Sequence, residues 1–280
     1  MGLHFVPRFY LSGFATTDAI WAYDKKAERA FPTRVKSIAN ETSMYSDEVE
    51  SYLANDIEHP ALPAITRIRA RQPLSENQRA ALAKYIIALW KRVPKARTRV
   101  LNSIPQVADE VEQELNAGIQ RLVDQDPSLT ERAAARRIEI AAAIEREKAA
   151  PDPKIWQQSL QSPTDHKVVD ALLSMNWLFL SSSEQFLTSD NPVFFFEHEG
   201  IGKPTSELSV PLSSSVALWA TRAPCRNMQY YPIARPALRE VNRRTVYNAV
   251  RFAYARTNEP WILPFTLKKD KRLTRLSLAR

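Results

Sequence analysis

His4 and Arg8 stand four residues apart in "HFVPRFYL", inside the first apolar stretch of the chain. An imidazole moves protons near neutral pH, and a guanidinium grips a planar anion. If this stretch is a strand, alternation puts His4, Val6, Arg8 and Tyr10 on one face, with Phe5, Phe9 and Leu11 opposite. A second polar group lies in "LTSDNPV", where Asp190 and Asn191 separate two strand-like runs. A third is "WKRVPKAR", in which Arg92 and Arg97 flank a helix end broken by Pro94. Together these types make a coherent set. His4 would be the general acid or base and Asp190 the carboxylate that orients it; Arg8, Arg92 and Asn191 would bind substrate. Such a set suits hydrolysis of a nucleic acid or another anionic substrate.

Each member also has a plainer reading. An S-D-N-P turn forms for local reasons, since Asp and Asn bond their own backbone and Pro fixes φ. Arginines near a helix C-terminus are favoured by the helix dipole alone. An arginine buried against a carboxylate would make the same residues a structural network. The alternative function is therefore a non-catalytic module that binds nucleic acid or protein.

Other chemistries find little support. Four histidines, His4, His59, His166 and His198, show no i, i+4 pairing, so no metal site is expected. On a strand His198 would point away from Glu197 and Glu199. Glu50 and Glu58 fall two turns apart on an early helix and could meet His4 or Asp190 in space. With five glycines the chain holds neither G-x-G-x-x-G nor a Walker loop, and there is no G-x-S-x-G elbow. No cofactor is indicated. The single cysteine, Cys225, rules out an intrachain disulfide and fits a reducing cytoplasm; Arg222 and Arg226 beside it would lower its pKa. No apolar run reaches the length of a membrane span.

The net charge is +8, but six Lys/Arg and one Asp lie in the last thirteen residues. That tail, with Lys268, Lys269, Lys271, Arg272 and Arg275, is expected to be mobile or to lie on the surface, available to nucleic acid through phosphate contacts. A further stripe, Arg235, Arg239 and Arg243, lies on one face of the last helix.

These residues must be positioned by the elements around them. "RFYLSGFA", "AIWAYD" and "TRVKSIAN" read as N-terminal strands, with "KKAERAFP" a connection. Ser46 opens a helical segment. Ser75 and Gln78 form a capping box before Leu82, Tyr85, Ile86, Leu89 and Val93 recur at helical spacing. Ile104, Val107, Val111, Leu115, Ile119 and Leu122 line one face of a long helix, and Ser128 with Glu131 forms a second capping box. "NWLFLSS", "QFLTS", "PVFFFE", "ELSVPLS" and "VALWAT" then read as antiparallel strands, and a last helix is expected from Pro236 to about Arg256. The order gives an α+β fold whose antiparallel sheet combines N-terminal and later strands. One domain is expected over 1–280, with 75–150 as a helical insertion or lobe; two independent domains are the alternative.

The motifs also carry a resemblance. "HFVPRFYLSGFA" with "WAYDK", then "RVPKAR", "FLTSDNPV" and "VPLSSSVAL", in this order, resemble the bacterial domain-of-unknown-function family 4238. Members open with H-x-x-P-R-F-x-L-x-x-F and later carry S-D-N-P-V and a P-L-S segment. The resemblance implies that His4, Arg8, Arg92, Asp190 and Asn191 belong to one site, and it implies no activity. From the chemistry of the set we expect a hydrolase of nucleic acid or another anionic substrate, acting in bacterial conflict or defence.

Overall fold

A computed structural model describes residues 3–41, 44–161, 166–196, 199–225, 229–268 and 272–277. His198, Lys269 and Lys271 lie outside the described residues. The chain divides into two compact units, one made of 1–93 and 161–280 and the other of 94–160.

The first unit mixes helices and sheets. Its N-terminal elements are β1 (Leu3–His4), α1 (Arg8–Leu11), β2 (Ala19–Asp24), β3 (Arg29–Arg34) and β4 (Asn40–Glu41). Helices α2 (Asp47–Tyr52) and α3 (His59–Arg69) are joined by a π-helical turn at Leu53–Glu58, and α4 (Glu76–Lys91) follows. The second unit is a helical hairpin of α5 (Pro94–Gln125) and α6 (Thr130–Ala149), followed by most of α7 (Lys154–Gln161). The chain then returns to the first unit with α8 (His166–Leu173), β5 (Asn176–Ser181), β6 (Thr188–Ser189), β7 (Phe194–Phe195), β8 (Glu207–Pro211) and β9 (Val216–Thr221). It closes with β10 (Gln229–Pro232), α9 (Arg235–Asn248), β11 (Phe252–Ala255) and α10 (Ile262–Leu267).

The expected antiparallel sheet is present: N-terminal β2 and β3 join later strands in the order β3-β2-β11-β6. A second sheet runs β10-β5-β9-β8-β7, antiparallel except for the parallel β10–β5 pair. Strands β8 and β9 are buried along their whole length, so both of their faces are covered. Helix α9 packs on β6, β7 and β8. Tyr23, Leu187, Val246, Ala253, Ala255 and Ile262 form a compact cluster of this core.

Local signals account for several elements. Ser46 caps α2 by accepting from Val49 N, and Ser75 and Gln78 close a capping box on α4. Other expectations change. "RFYL" is not a strand: Pro7, at φ −58°, starts α1, so the face of alternating side chains ends at His4. "RAFPTR" is β3 rather than a connection, because Pro32 sits on an edge strand where its missing N–H costs no ladder bond. The last helix stops at Asn248, and Phe252–Ala255 form β11, an inner strand of the four-stranded sheet. Before α6, Asp126 caps a 3-10 turn over Pro127–Leu129 by accepting from Ser128 N and Ser128 Oγ, and α6 itself has no side-chain cap.

Candidate functional site

His4 is partly buried and its backbone is paired with Asn40 across β1–β4. Below it lies Arg92, the C-cap of α4, with 2% of its side chain exposed. Arg92 Nη2 donates to the His4 carbonyl at 2.7 Å and to the Tyr45 hydroxyl at 2.7 Å; Nη1 donates to Glu58 Oε1. Glu50 Oε2 stands 3.8 Å from Nη2. The Tyr45 hydroxyl donates in turn to the His4 carbonyl at 3.2 Å. The π turn ends at Glu58, so α2 and that turn bring both carboxylates to one arginine. Such turns add a residue to a helix and re-aim the side chains that follow.

The electrostatics follow from this burial. Burial works against the Arg92 cation, but Tyr45 and Glu58 outweigh it and raise its pKa above the ordinary value. Burial raises the Glu58 carboxyl, against the pull of Arg92. His4 is lowered, chiefly by burial and further by Arg8 and Arg92, while the Ile38 backbone and Glu50 oppose. It is therefore neutral at pH 7. Four buried polar atoms in this cluster have no hydrogen-bond partner: His4 Nδ1, Glu50 Oε2, Arg92 Nε and the Tyr85 hydroxyl.

Asp190 and Asn191 do a different job. Asp190 is 5% exposed, and its carboxylate accepts from Val250 N (2.8 Å), Arg251 N (2.7 Å) and Phe252 N (2.9 Å). It thereby fixes the turn from α9 into β11. Burial raises its pKa, and the three amides oppose that rise. Asn191 Nδ2 donates to the Asn248 carbonyl at 3.0 Å, and Asn248 Nδ2 returns bonds to the carbonyls of Asn191 and Val193. These bonds lock β6 to the end of α9.

The five expected site residues thus divide by their hydrogen-bond partners. His4 and Arg92 share one cluster, and Arg8 acts on His4 electrostatically while its side chain is exposed. Asp190 and Asn191 form the other group, with hydrogen bonds to residues 248–252 and none to His4. A substrate arginine needs an accessible guanidinium; that of Arg92 is enclosed by Glu58, Tyr45 and the His4 carbonyl.

Several polar residues outside the expected site are also committed to the fold. Arg69 donates to the carbonyls of Phe9, Tyr10 and Leu212, satisfying the end of α1. Gly13 is required beside it, since a Cβ there would lie 2.5 Å from Arg69 Nη2. Arg244, fully buried, donates to Glu207 at 2.7 Å and stands 3.5 Å from Glu240. Its i, i+4 spacing from Glu240 is readable in the sequence, whereas Glu207 is not. Asp24 accepts three bonds from the Arg251 side chain and two from backbone amides, and Arg251 above all holds its pKa down to about 2.

The described part of the basic tail lies on the surface, with Arg272, Thr274, Arg275 and Ser277 exposed, and is anchored there. Arg275 pairs with Glu199 and lies 3.7 Å from Glu207; Thr274 O accepts from Arg244, and Leu276 is buried. Residues 272–277 are thus docked, because two buried carboxylates, Glu207 and Glu240, take the Leu276 and Thr274 amides. Burial raises the Cys225 thiol; Arg226 lies outside the described residues. No helix among the described residues is long and apolar enough to cross a membrane.

The family model described as "Protein of unknown function (DUF4238)" matches residues 4–259. No curated protein and no solved structure matches the chain.

Proposed function

The chain belongs to the DUF4238 family, and we propose that it is a non-catalytic binding module for nucleic acid, in which the polar residues of the family pattern hold the fold. One observation carries this reading. Arg92, Asp190 and Asn191 are buried and committed to protein partners, which is how structural polar groups behave. The ligand class follows from charge. Residues 94–160 hold ten Lys/Arg against eleven Asp/Glu, out of 39 and 31 in the chain, so the rest carries 29 against 20, a surplus of nine positive charges. Arg8, Arg239, Lys268 and Arg272 are exposed members of that surplus. Cations of this kind bind phosphates without sequence preference.

Fluorescence anisotropy with single-stranded and duplex oligonucleotides tests it. Binding should weaken steeply with salt, with log K falling by about 0.9 per log salt for each duplex phosphate neutralised. Lys268→Ala with Arg272→Ala should flatten that slope; truncation of the tail is the poorer test, because it also removes the anchors on Glu207 and Glu240. Absence of salt-sensitive binding overturns the reading.

A second reading, a hydrolase of anionic substrates, keeps one favourable observation. His4 is neutral, with an unpartnered Nδ1, and stands near Glu50 and Arg8. As a base it would accept a proton while exposed Arg8 held the anion. Hydrolysis of an oligonucleotide or phosphodiester that His4→Ala abolishes, with the thermal midpoint unchanged, would establish it in place of the binding module.

A further inference from the structure

Helix α5 leaves an apolar stripe uncovered. Val107, Val111, Leu115 and Leu122 are 50%, 41%, 45% and 56% exposed. At about 100° per residue they fall within a sector of about 80°. Ile104, in the same sector nearer the start of the helix, and Ala108 beside it are buried, so the uncovered part of the stripe begins at Val107. Near the closed end a cleft of about 500 Å³ continues the stripe, lined by Ile119, Leu122, Val123, Leu129, Arg132 and Arg136 among others. Contiguous apolar surface of this kind marks an interaction site rather than scattered exposure.

The charges beside the stripe say what covers it. Glu110 and Glu114 sit on one flank of its first half, and no Lys or Arg occurs from 100 to 120. Arg121 lies on the same flank of its second half, while Arg132, Arg136 and Glu139 line the cleft. Along that flank one end is therefore acidic and the other basic. Such a surface is complementary to itself when reversed. A membrane surface is disfavoured, because amphipathic helices that bind anionic lipid flank their apolar face with Lys and Arg.

We propose that this face binds a second copy of the chain, α5 against α5 in antiparallel, so that two hairpins form a four-helix bundle. With Leu115 at the two-fold axis, Val107 of each copy meets Leu122 of the other. Glu110 and Arg121 lie on the same flank, about 20° apart around the helix. In an antiparallel pair like flanks meet, so Glu110 of each copy faces Arg121 of the other. A parallel pair would instead set Glu110 and Glu114 at the same height as their own copies, and like charges side by side repel. Two hairpins packed this way match the ordinary antiparallel bundle.

Sedimentation velocity on the full chain should show a dimer, and Val111→Asp with Leu115→Asp should raise the dimer dissociation constant at least tenfold with the thermal midpoint unchanged. Register is read by cysteine cross-linking in a Cys225→Ser background. Leu115→Cys should oxidise to a covalent dimer, because a disulfide needs Cβ atoms about 4 Å apart. Val107→Cys alone should not, whereas Val107→Cys mixed with Leu122→Cys should. A monomer at about 100 µM, a concentration at which even weak dimers form, overturns the proposal, whatever other protein the stripe holds. So does a double variant that dimerises like the parent, or a Val107→Cys chain that links to itself as well as Leu115→Cys does.

Discussion

The two units depart from the usual distribution of polar and apolar groups in opposite directions. In the unit of 1–93 and 161–280, charged groups lie inside: Arg92 and Arg244 are 2% and 0% exposed, with Glu207, Glu240 and Asp190 near 5%. In the hairpin of 94–160, valines and leucines lie outside. A buried charge survives only with partners that replace its water, and each of these has them. An exposed apolar face has no such compensation until something covers it. The difference separates buried charges that pair within the fold from apolar residues that stay exposed, and Arg92, Asp190 and Asn191 of the family pattern are among the buried polar groups.

The comparison breaks most visibly at the buried ion pairs. Arg244→Gln removes the fully buried cation between Glu207 and Glu240 and leaves them only the partly exposed Arg275 and Arg243, which should cost about 3–5 kcal/mol in urea unfolding. A loss below about 1 kcal/mol would mean that water reaches the site. Asp190→Asn keeps the shape but sets an NH₂ group among three backbone donors. It should cost about 1–3 kcal/mol, because at least one buried amide loses its acceptor. An unchanged denaturation midpoint would remove Asp190 from the framework.

Acid titration gives a smaller effect with a defined sign. The Asp24 carboxyl has a folded pKa of about 2 against an ordinary 3.8, so the unfolded chain binds its proton more tightly. Its contribution is complete above about pH 5, declines as the pH falls through the folded value, and amounts to about 1–2 kcal/mol. Asp24→Asn should remove that part of the acid limb of a stability–pH curve. His4 has the same sign in a higher window. Lowered in the fold, it favours the native state above the ordinary histidine pKa of 6.5 and loses that contribution as the pH falls through its folded value. The smallest effect belongs to the hairpin surface. Arg136→Ala, from a pair whose partners are 66% and 64% exposed, should change stability by no more than about 0.5 kcal/mol.

Much of the fold is legible because its signals are local. The Ser75–Gln78 box, the Ser46 cap and the apolar runs of β5, β8 and β9 all act within a few residues. What escaped depends on distant partners. "FAYA" becomes a strand because β2 and β6 flank it, and "RAFPTR" because an edge tolerates Pro32. The site was legible as a set of residue types but not as contacts. Arg92 and Glu58 are 34 positions apart and Asp190 and Arg251 are 61 apart, so nothing local joins them. The apolar stripe of α5 was readable from its spacing; whether it faces inward depends on what packs against it.

The central claim, that the polar family pattern is architecture, rests most directly on Arg92. Urea unfolding of Arg92→Gln, beside Arg8→Gln as the exposed arginine of the same pattern, measures it. The account predicts a loss of about 3–5 kcal/mol for Arg92→Gln, since Glu58 and Glu50 stay behind without their cation, and about 0.5 kcal/mol or less for Arg8→Gln. Equal small losses for both, with anion binding abolished in the Arg92 variant, would contradict it.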